Sequence, residues 1–122
     1  MARVLLMEDS EVIRTMVKTA LERRGHAVLM AENGLEGLRL AEAHLPDVVV
    51  TDIVMPEMNG FEATRALRKN PATSQIPIIM LTSKSTAADR FWGERQGAFR
   101  YLTKPVRFAD LEAAIQSALG NG

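Results

Sequence analysis

Four side chains that could bind a metal ion or a phosphoryl group each lie just after a short apolar run of the 122-residue chain. They are Asp9, Asp52, Thr82 and Lys104, and Glu8 precedes the first of them. Ligands of parallel sheets bind outside the carboxyl ends of the strands, so we expect these side chains to share one pocket. Carboxylates, a hydroxyl and an ammonium suit a hard metal ion together with a phosphoryl group. The apolar runs are Arg3–Met7, Val48–Thr51, Ile78–Leu81 and Phe99–Leu102.

The carboxylates at the first and third runs predict a magnesium site. Glu8, Asp9 and Asp52 would repel one another strongly without a cation, and Mg²⁺ prefers oxygen ligands. Taken alone, the adjacent pair Glu8 and Asp9 could simply cap the following helix and favour its dipole. With Asp52 and Lys104 in matching positions the metal site is the better interpretation, and Ca²⁺ would need more ligands than these residues offer.

Asp52 is the expected phosphoryl acceptor. A carboxylate after a fully apolar strand is costly unless it has partners or a function. Carboxylates can attack phosphorus and form an acyl phosphate. The transfer needs in-line positioning and charge neutralisation, which a metal ion and Lys104 would supply. The alternative role for Asp52 is that of a metal ligand only.

Lys104 and Thr82 could both contact a phosphoryl group. Lys104 could neutralise a phosphoryl oxygen or form a plain salt bridge with the carboxylates. Pro105 follows it and would shape the turn, and a cis bond is plausible there because X–Pro bonds tolerate it at little cost. The Thr82 hydroxyl could donate to the phosphoryl group, although a threonine at a strand end is usually only a β-branched strand residue.

The rest of the chain predicts the elements that carry these residues. Apolar runs alternate with helical stripes, and Ser10 and Thr86 begin helices that Gly25 and Gly97 end. Five strand–helix units imply an α/β fold, a doubly wound parallel sheet with five helices on its two faces. Expected strands cover 3–7, 27–31, 48–51, 78–81 and 99–102, and expected helices cover 10–24, 35–44, 59–70, 86–96 and 108–119. The first helix should bury Val12, Ile13, Met16, Val17, Ala20 and Leu21.

Composition excludes several other classes. The 122 residues are enough for one domain, and the formal net charge of zero gives no reason to expect nucleic-acid or membrane binding. Residues 1–62 hold six Lys and Arg against eleven Asp and Glu, and residues 63–122 hold nine against four. The chain has no cysteine, hence no disulfide or thiolate metal site. Without a membrane span or signal peptide, we expect a cytoplasmic protein.

Five separated motifs of the chain resemble those of one family. Glu8-Asp9, Asp52 with Met55-Pro56, Asn59-Gly60, Thr82-Ser83 and Lys104-Pro105 together resemble the receiver domain of two-component response regulators. The resemblance covers the whole chain. It implies a flavodoxin-like fold with strand order 2-1-3-4-5, and a receiver domain over residues 1–122 with no output domain.

The resemblance also implies a role for each site residue. Asp52 would accept the phosphoryl group from a histidine kinase, Asp9 would bind Mg²⁺ directly and Glu8 through water. The carbonyl of Val54 would complete the protein ligands.

The resemblance implies that the remaining site residues contact the phosphoryl group or transmit the signal. Thr82 and Lys104 would contact the phosphoryl group, and Tyr101 would swing inward on activation. The change would appear on the surface of the fourth helix, fifth strand and fifth helix. Ser83 is small, which leaves the site open to a donor.

A narrower resemblance lies in the second half of the chain. The stretches 91–98 and 101–105 are similar to stand-alone regulators of bacterial twitching motility, a chemotaxis-like system that controls type IV pili. The chain departs from the commonest family pattern at Glu8, where Asp is more frequent. Val54 and Lys84 would flank the path of the water that hydrolyses the acyl phosphate, and Val54 is apolar. Because Val54 cannot orient that water, we expect the lifetime of the phosphorylated protein to differ from that of relatives with polar residues there.

The expected partners are a histidine kinase and a downstream protein. Without a helix-turn-helix we expect no nucleic-acid binding. The protein would be a monomer or a weak phosphorylation-dependent dimer. Trp92 either packs inward or presents an anchor to a partner, and His26 and His44 are expected at the surface. The output surface should include Lys84, Arg90, Glu94, Arg95, Arg100 and Arg107.

Two other classes of protein share parts of this pattern. A Mg²⁺-dependent phosphatase with an aspartyl nucleophile shares the carboxylate, metal and lysine, but it needs a second acid where Val54 stands. A flavin-binding electron carrier needs a phosphate-cradling loop after the first strand, and the loop here is acidic. The protein is therefore not expected to be a conventional enzyme, because its only reaction would be phosphotransfer to and from its own Asp52.

Overall fold

Each strand of the protein leads into a helix, and the strands form one parallel sheet in the order β2-β1-β3-β4-β5. This computed structural model describes residues 1–120, so the last two residues of the expected domain lie outside the described part. The predicted α/β fold and strand order are confirmed. The strands are β1 Arg3–Met7, β2 Ala27–Ala31, β3 Val48–Thr51, β4 Ile78–Thr82 and β5 Arg100–Thr103. The helices are α1 Glu11–Glu22, α2 Gly34–His44, α3 Gly60–Lys69, α4 Ala87–Gln96 and α5 Phe108–Ala118.

The two faces of the sheet bury separate apolar clusters. Successive side chains of a strand point to opposite faces, so Val4 and Leu6 pack with α1 and α5, whereas Leu5 and Met7 pack with α2 and α3. The central strands β1, β3 and β4 are therefore apolar almost throughout, as buried parallel strands must be. This packing fixes the carboxyl ends of the central strands side by side.

Helix ends follow the polar residues that the sequence marks. Ser10 and Asn33 accept backbone N–H groups at the starts of α1 and α2. Thr86 and Asp89 form the predicted capping box of α4, which ends at Gly97 in the left-handed region with φ 110°. Several boundaries move by one or two residues: α1 ends at Glu22, before Arg24, β4 extends to Thr82, and β5 lies one residue further along than expected. The shift of β5 arises because Thr82 pairs with Thr103, which extends both strands beyond their apolar runs.

The buried stripe of α1 is narrower than predicted. Val17, Ala20 and Leu21 are buried, but Val12 is 70% exposed and Met16 is 54% exposed. A helix that covers a sheet buries only the side that faces the strands, so the two flanking residues stay at the surface.

His26 is buried, so its expected place at the surface is wrong. It is 4% exposed and joins three elements. Its Nδ1 accepts the Ala2 backbone N–H at 3.0 Å, and its Nε2 lies 2.8 Å from Glu112 Oε1 on α5. Because Nδ1 accepts, the ring donates to Glu112 through Nε2. Glu112 is 86 residues away in the chain, and no local pattern marks such a pair. His44 is exposed, as expected.

None of the helices within residues 1–120 is both long enough and apolar enough to cross a bilayer.

Replacing His26 with Ala should lower the free energy of unfolding by about 2 kcal/mol. The substitution leaves the buried Ala2 N–H without its acceptor and removes the His26 donor from the Glu112 carboxylate, which still accepts from Gln116. Urea denaturation of both proteins measures the difference. The matched control is His44→Ala at an exposed position, which should change stability by less than about 0.5 kcal/mol. Equal midpoints for the two variants would contradict the role given to His26.

Candidate functional site

The predicted site residues gather at the carboxyl edge of the sheet. Glu8 and Asp9 follow β1, Asp52 follows β3, and Lys104 follows β5. The strand order changes direction between β1 and β3, and this switch point is where doubly wound sheets bind ligands. Short connections after each strand therefore place residues that are far apart in the chain around one pocket.

Three carboxylates face one another in this pocket. Glu8, Asp9 and Asp52 each offer an oxygen, and these oxygens lie within 4.8 Å of one another. Glu8 is 3% exposed and Asp52 is 8% exposed, whereas Asp9 lies open to solvent. Hard oxygen donors so close together, with one side open, fit a small divalent cation that keeps some of its water ligands.

Lys104 bridges the two buried carboxylates. Its Nζ donates to Glu8 Oε1 at 2.7 Å and to Asp52 Oδ2 at 2.9 Å. The second oxygen of each carboxylate accepts a backbone N–H: Glu8 Oε2 from Ser10 at 3.0 Å, and Asp52 Oδ1 from Ile53 at 2.6 Å. The two side chains are thus fixed in place from both sides.

The electrostatics of the pocket favour a further cation. Burial raises the pKa of Glu8 above 4.5, and the opposing bonds from Lys104 and the Ser10 N–H do not cancel this effect. Burial lowers the pKa of Lys104, but its bonds to Glu8 and Asp52 outweigh burial and leave that pKa above 10.5. Both pKa values rise, but for different reasons: burial disfavours the charged form of Glu8, whereas two anionic partners favour the charged form of Lys104. One ammonium among three carboxylates leaves excess negative charge at this edge.

Thr82 lies at the edge of this cluster. It is fully buried, and its Oγ1 accepts the Lys84 backbone N–H at 3.3 Å. Its carbonyl accepts the Lys104 N–H at 2.8 Å, which ties the end of β4 to the lysine. Ser83 and Val54 are exposed beside the pocket. The peptide bond between Lys104 and Pro105 is cis, the geometry considered plausible from the sequence.

Tyr101 occupies an inward position in this structure. It is 5% exposed, and its hydroxyl donates to the Lys84 carbonyl at 2.6 Å. Arg90 covers the ring, with its guanidinium carbon 5.0 Å from the ring centroid. Gly93 of α4 makes room for the ring, since a Cβ there would lie 2.6 Å from a Tyr101 carbon.

Several residues of the site were not found by sequence reasoning. Gly93 could have been noticed as a glycine in the middle of a helix. Arg14 contacts the loop after β1, and an arginine on an amphipathic helix gives no signal of that contact. Trp92, for which two positions were open, faces solvent with 55% exposure, as does Phe91 beside it.

Comparison with known proteins identifies the class. The model of the response regulator receiver domain matches residues 4–116, and the chain belongs to this family of two-component signalling domains. Protein PilH of Pseudomonas aeruginosa is 50% identical over 119 residues, which are 98% of each chain. The chain spans about half the length of matched transcriptional regulators.

Solved structures agree with this assignment. The chemotaxis response regulator CheY4 of Vibrio cholerae is 36% identical and superposes with a TM-score of 0.91, covering 98% of this chain and 99% of its own. The receiver domain of the sensor histidine kinase PA1611 from Pseudomonas aeruginosa is 31% identical with a TM-score of 0.91 and 98% coverage of both chains. That domain has a magnesium ion coordinated in its active site cleft.

The phenol of Tyr101 should titrate above its ordinary pKa of 10.0. Burial raises this pKa first, the carboxylate of Asp89 adds to it, and Arg90 opposes it. Because the chain has one tyrosine, absorbance at the tyrosinate band against pH reports this group alone. The folded protein then keeps a proton that the unfolded chain releases, so stability should fall as pH rises from 10.0 through the folded-state pKa.

The control for this titration is Gly93→Ala, whose methyl group would displace the ring. Its midpoint should move toward that of the urea-unfolded protein. A folded wild type that titrates like the unfolded chain would contradict the inward position.

Proposed function

We propose that this protein is a phosphorylation-activated switch that accepts a phosphoryl group from a histidine kinase onto Asp52 with Mg²⁺. The observation that carries the proposal is the bridge of Lys104 between Glu8 and Asp52, beside the three clustered carboxylates. Within this arrangement the acceptor, a cation for the phosphoryl oxygens and a set of metal ligands lie together. Its reaction is confined to its own Asp52, so it is not a conventional enzyme.

Each residue has a distinct part in the transfer. Glu8, Asp9, Asp52 and the carbonyl of Val54 would hold Mg²⁺, which neutralises phosphoryl oxygens when bound. Asp52 Oδ1 is held by the Ile53 N–H, so we assign the attack to Oδ2. A bond forms from this oxygen to phosphorus while the bond from phosphorus to the donor histidine nitrogen breaks, and its electron pair stays on the imidazole.

The attack requires Lys104 to change partners. Its ammonium now donates to Asp52 Oδ2, the proposed attacking oxygen. We expect it to transfer that hydrogen bond to a phosphoryl oxygen as the new bond forms. The positive charge would then lie where negative charge arrives, as preorganised stabilisation requires. The small exposed Ser83 leaves room for the donor protein.

Phosphorylation would be read through Thr82 and Tyr101. New phosphoryl oxygens would draw the Thr82 hydroxyl away from the Lys84 N–H, which it now accepts. The loop that follows β4 would then change conformation. The Lys84 carbonyl, which accepts the Tyr101 hydroxyl, would move with it. The surface formed by α4, β5 and α5 would present the result to a downstream protein partner.

The relatives support a cellular context. The 50% identity to PilH makes control of type IV pilus twitching motility, or a related chemotaxis-like pathway, the favoured role. We propose a cytoplasmic receiver domain that signals by protein–protein contact, without nucleic acid or membrane, as a monomer or a weak phosphorylation-dependent dimer. An aspartyl phosphatase is disfavoured, because Val54 stands where its second acid would be needed and exposes 56% of its surface.

Incubation with Mg²⁺ and a small acyl-phosphate donor should add one phosphoryl group, as read by intact mass. Asp52→Asn should show no gain because it removes the nucleophile. Asp47→Asn is the matched control, since the Asp47 side chain accepts the Arg3 N–H at the start of β1, away from the site, and its change should leave the gain intact.

Two further arms test the metal. Wild type without Mg²⁺ and Asp9→Asn with Mg²⁺ should both lose most of the gain. An unmodified wild type with donor and metal present would contradict the proposal.

Val54→Asn should shorten the phosphorylated lifetime severalfold. An amide at this exposed position can hydrogen-bond the water that attacks the acyl phosphate, whereas the apolar side chain cannot. The rate of loss of the phosphoryl group from purified phosphoprotein measures the effect. Val54→Ala removes bulk without adding a polar group and separates access from orientation. An unchanged rate in Val54→Asn would refute this explanation.

A further inference from the structure

Arg14 on α1 holds the backbone that carries two of the carboxylates. Its Nη1 donates to the Glu8 carbonyl at 2.8 Å and to the Asp9 carbonyl at 3.3 Å. Its Nη2 donates to Glu32 Oε1, also at 3.3 Å. Only 11% of the Arg14 side chain is exposed, so this guanidinium is largely withdrawn from water.

The ion pair alone does not account for this placement. Glu32 exposes 69% of its side chain, and pairs that are open to solvent contribute little. The hydrogen bonds to the two carbonyls are therefore the contacts that explain why Arg14 is buried. Those carbonyls lie just beyond β1, where the sheet ladder stops and the chain turns into the helix. One rigid guanidinium therefore fixes two successive peptide groups there.

The same turn also fixes the Glu8 side chain. Ser10 caps α1 through its hydroxyl, and its N–H donates to Glu8 Oε2. Arg14 thus secures the main chain of this turn, while Ser10 and Lys104 secure the Glu8 carboxylate. The exposed Asp9 side chain depends on its own backbone for its position, and Arg14 contacts that backbone.

We propose that Arg14 is a positioning residue for the magnesium site. It keeps the peptides of Glu8 and Asp9 where their carboxylates can meet that of Asp52. The inference rests on the proposed function, because it assumes that these carboxylates bind Mg²⁺. Removing a residue that orients metal ligands without binding the metal itself commonly lowers metal affinity by about 10- to 100-fold.

The sign of the effect separates positioning from charge. A cation close to a metal site repels Mg²⁺, so removing the Arg14 charge would tighten binding if charge were its only influence. Losing the Nη1 donor that holds the two carbonyls would weaken binding instead. Arg14→Lys keeps the charge but ends one bond short of the Nη1 position, and Arg14→Gln loses both the charge and the reach.

The test is calorimetric titration of Mg²⁺ into the full, unphosphorylated chain. Both Arg14 variants should raise the dissociation constant about tenfold or more. Arg24→Gln is the matched control: Arg24 donates to the Ala20 carbonyl at the other end of α1, so its loss should leave the constant unchanged. In nitrogen-15 NMR spectra of the metal-free variants, the amide signals of residues 8–10 should shift or broaden.

Each outcome decides between the proposals. Unchanged or tighter binding by Arg14→Gln overturns the positioning role while the magnesium site stands. Wild-type affinity in Arg14→Lys also overturns it, because the Nη1 contact with the two carbonyls would then not be needed. A wild type that takes up no Mg²⁺ overturns the proposed function and this inference with it.

Discussion

The site depends on the shared ammonium of Lys104. Two carboxylates that are nearly removed from water cannot lie side by side without compensation, and Lys104 bonds both of them at under 3 Å. The compensation is incomplete, because a third carboxylate, Asp9, shares the cluster. Incomplete neutralisation leaves excess negative charge in the cluster, which favours a further cation.

The sheet makes this arrangement possible. Glu8 and Lys104 are 96 residues apart in the chain, and the parallel strands bring them within hydrogen-bond distance. An apolar core below the site holds these ends in place. Packing and the proposed site thus occupy different parts of the chain: the strand interiors pack, and residues that follow β1, β3 and β5 form the proposed site.

The sequence predicted whatever depends on local pattern. Apolar runs located the strands, and the polar residue after each run located the pocket, because both signals lie within a few residues. Contacts between side chains and distant parts of the chain, for which no local pattern exists, were not predicted. His26 pairs with Glu112, and Arg14 reaches the carbonyls of the loop after β1, through geometry that exists only after folding. The exposure of Val12 and Met16 was missed for a related reason, since periodicity gives the direction of a helix face but not its width.

The backbone of Lys84 connects the pocket with the surface. Its N–H donates to Thr82 Oγ1, and its carbonyl accepts the Tyr101 hydroxyl. A group that competes for the Thr82 hydroxyl would therefore act on the same residue that anchors Tyr101. Gly93 of α4 lies close to that ring, so a change in the ring position would also alter its packing against the helix. Because packed interiors adopt discrete arrangements and do not deform continuously, this short chain of contacts is suited to carry a switch between two states.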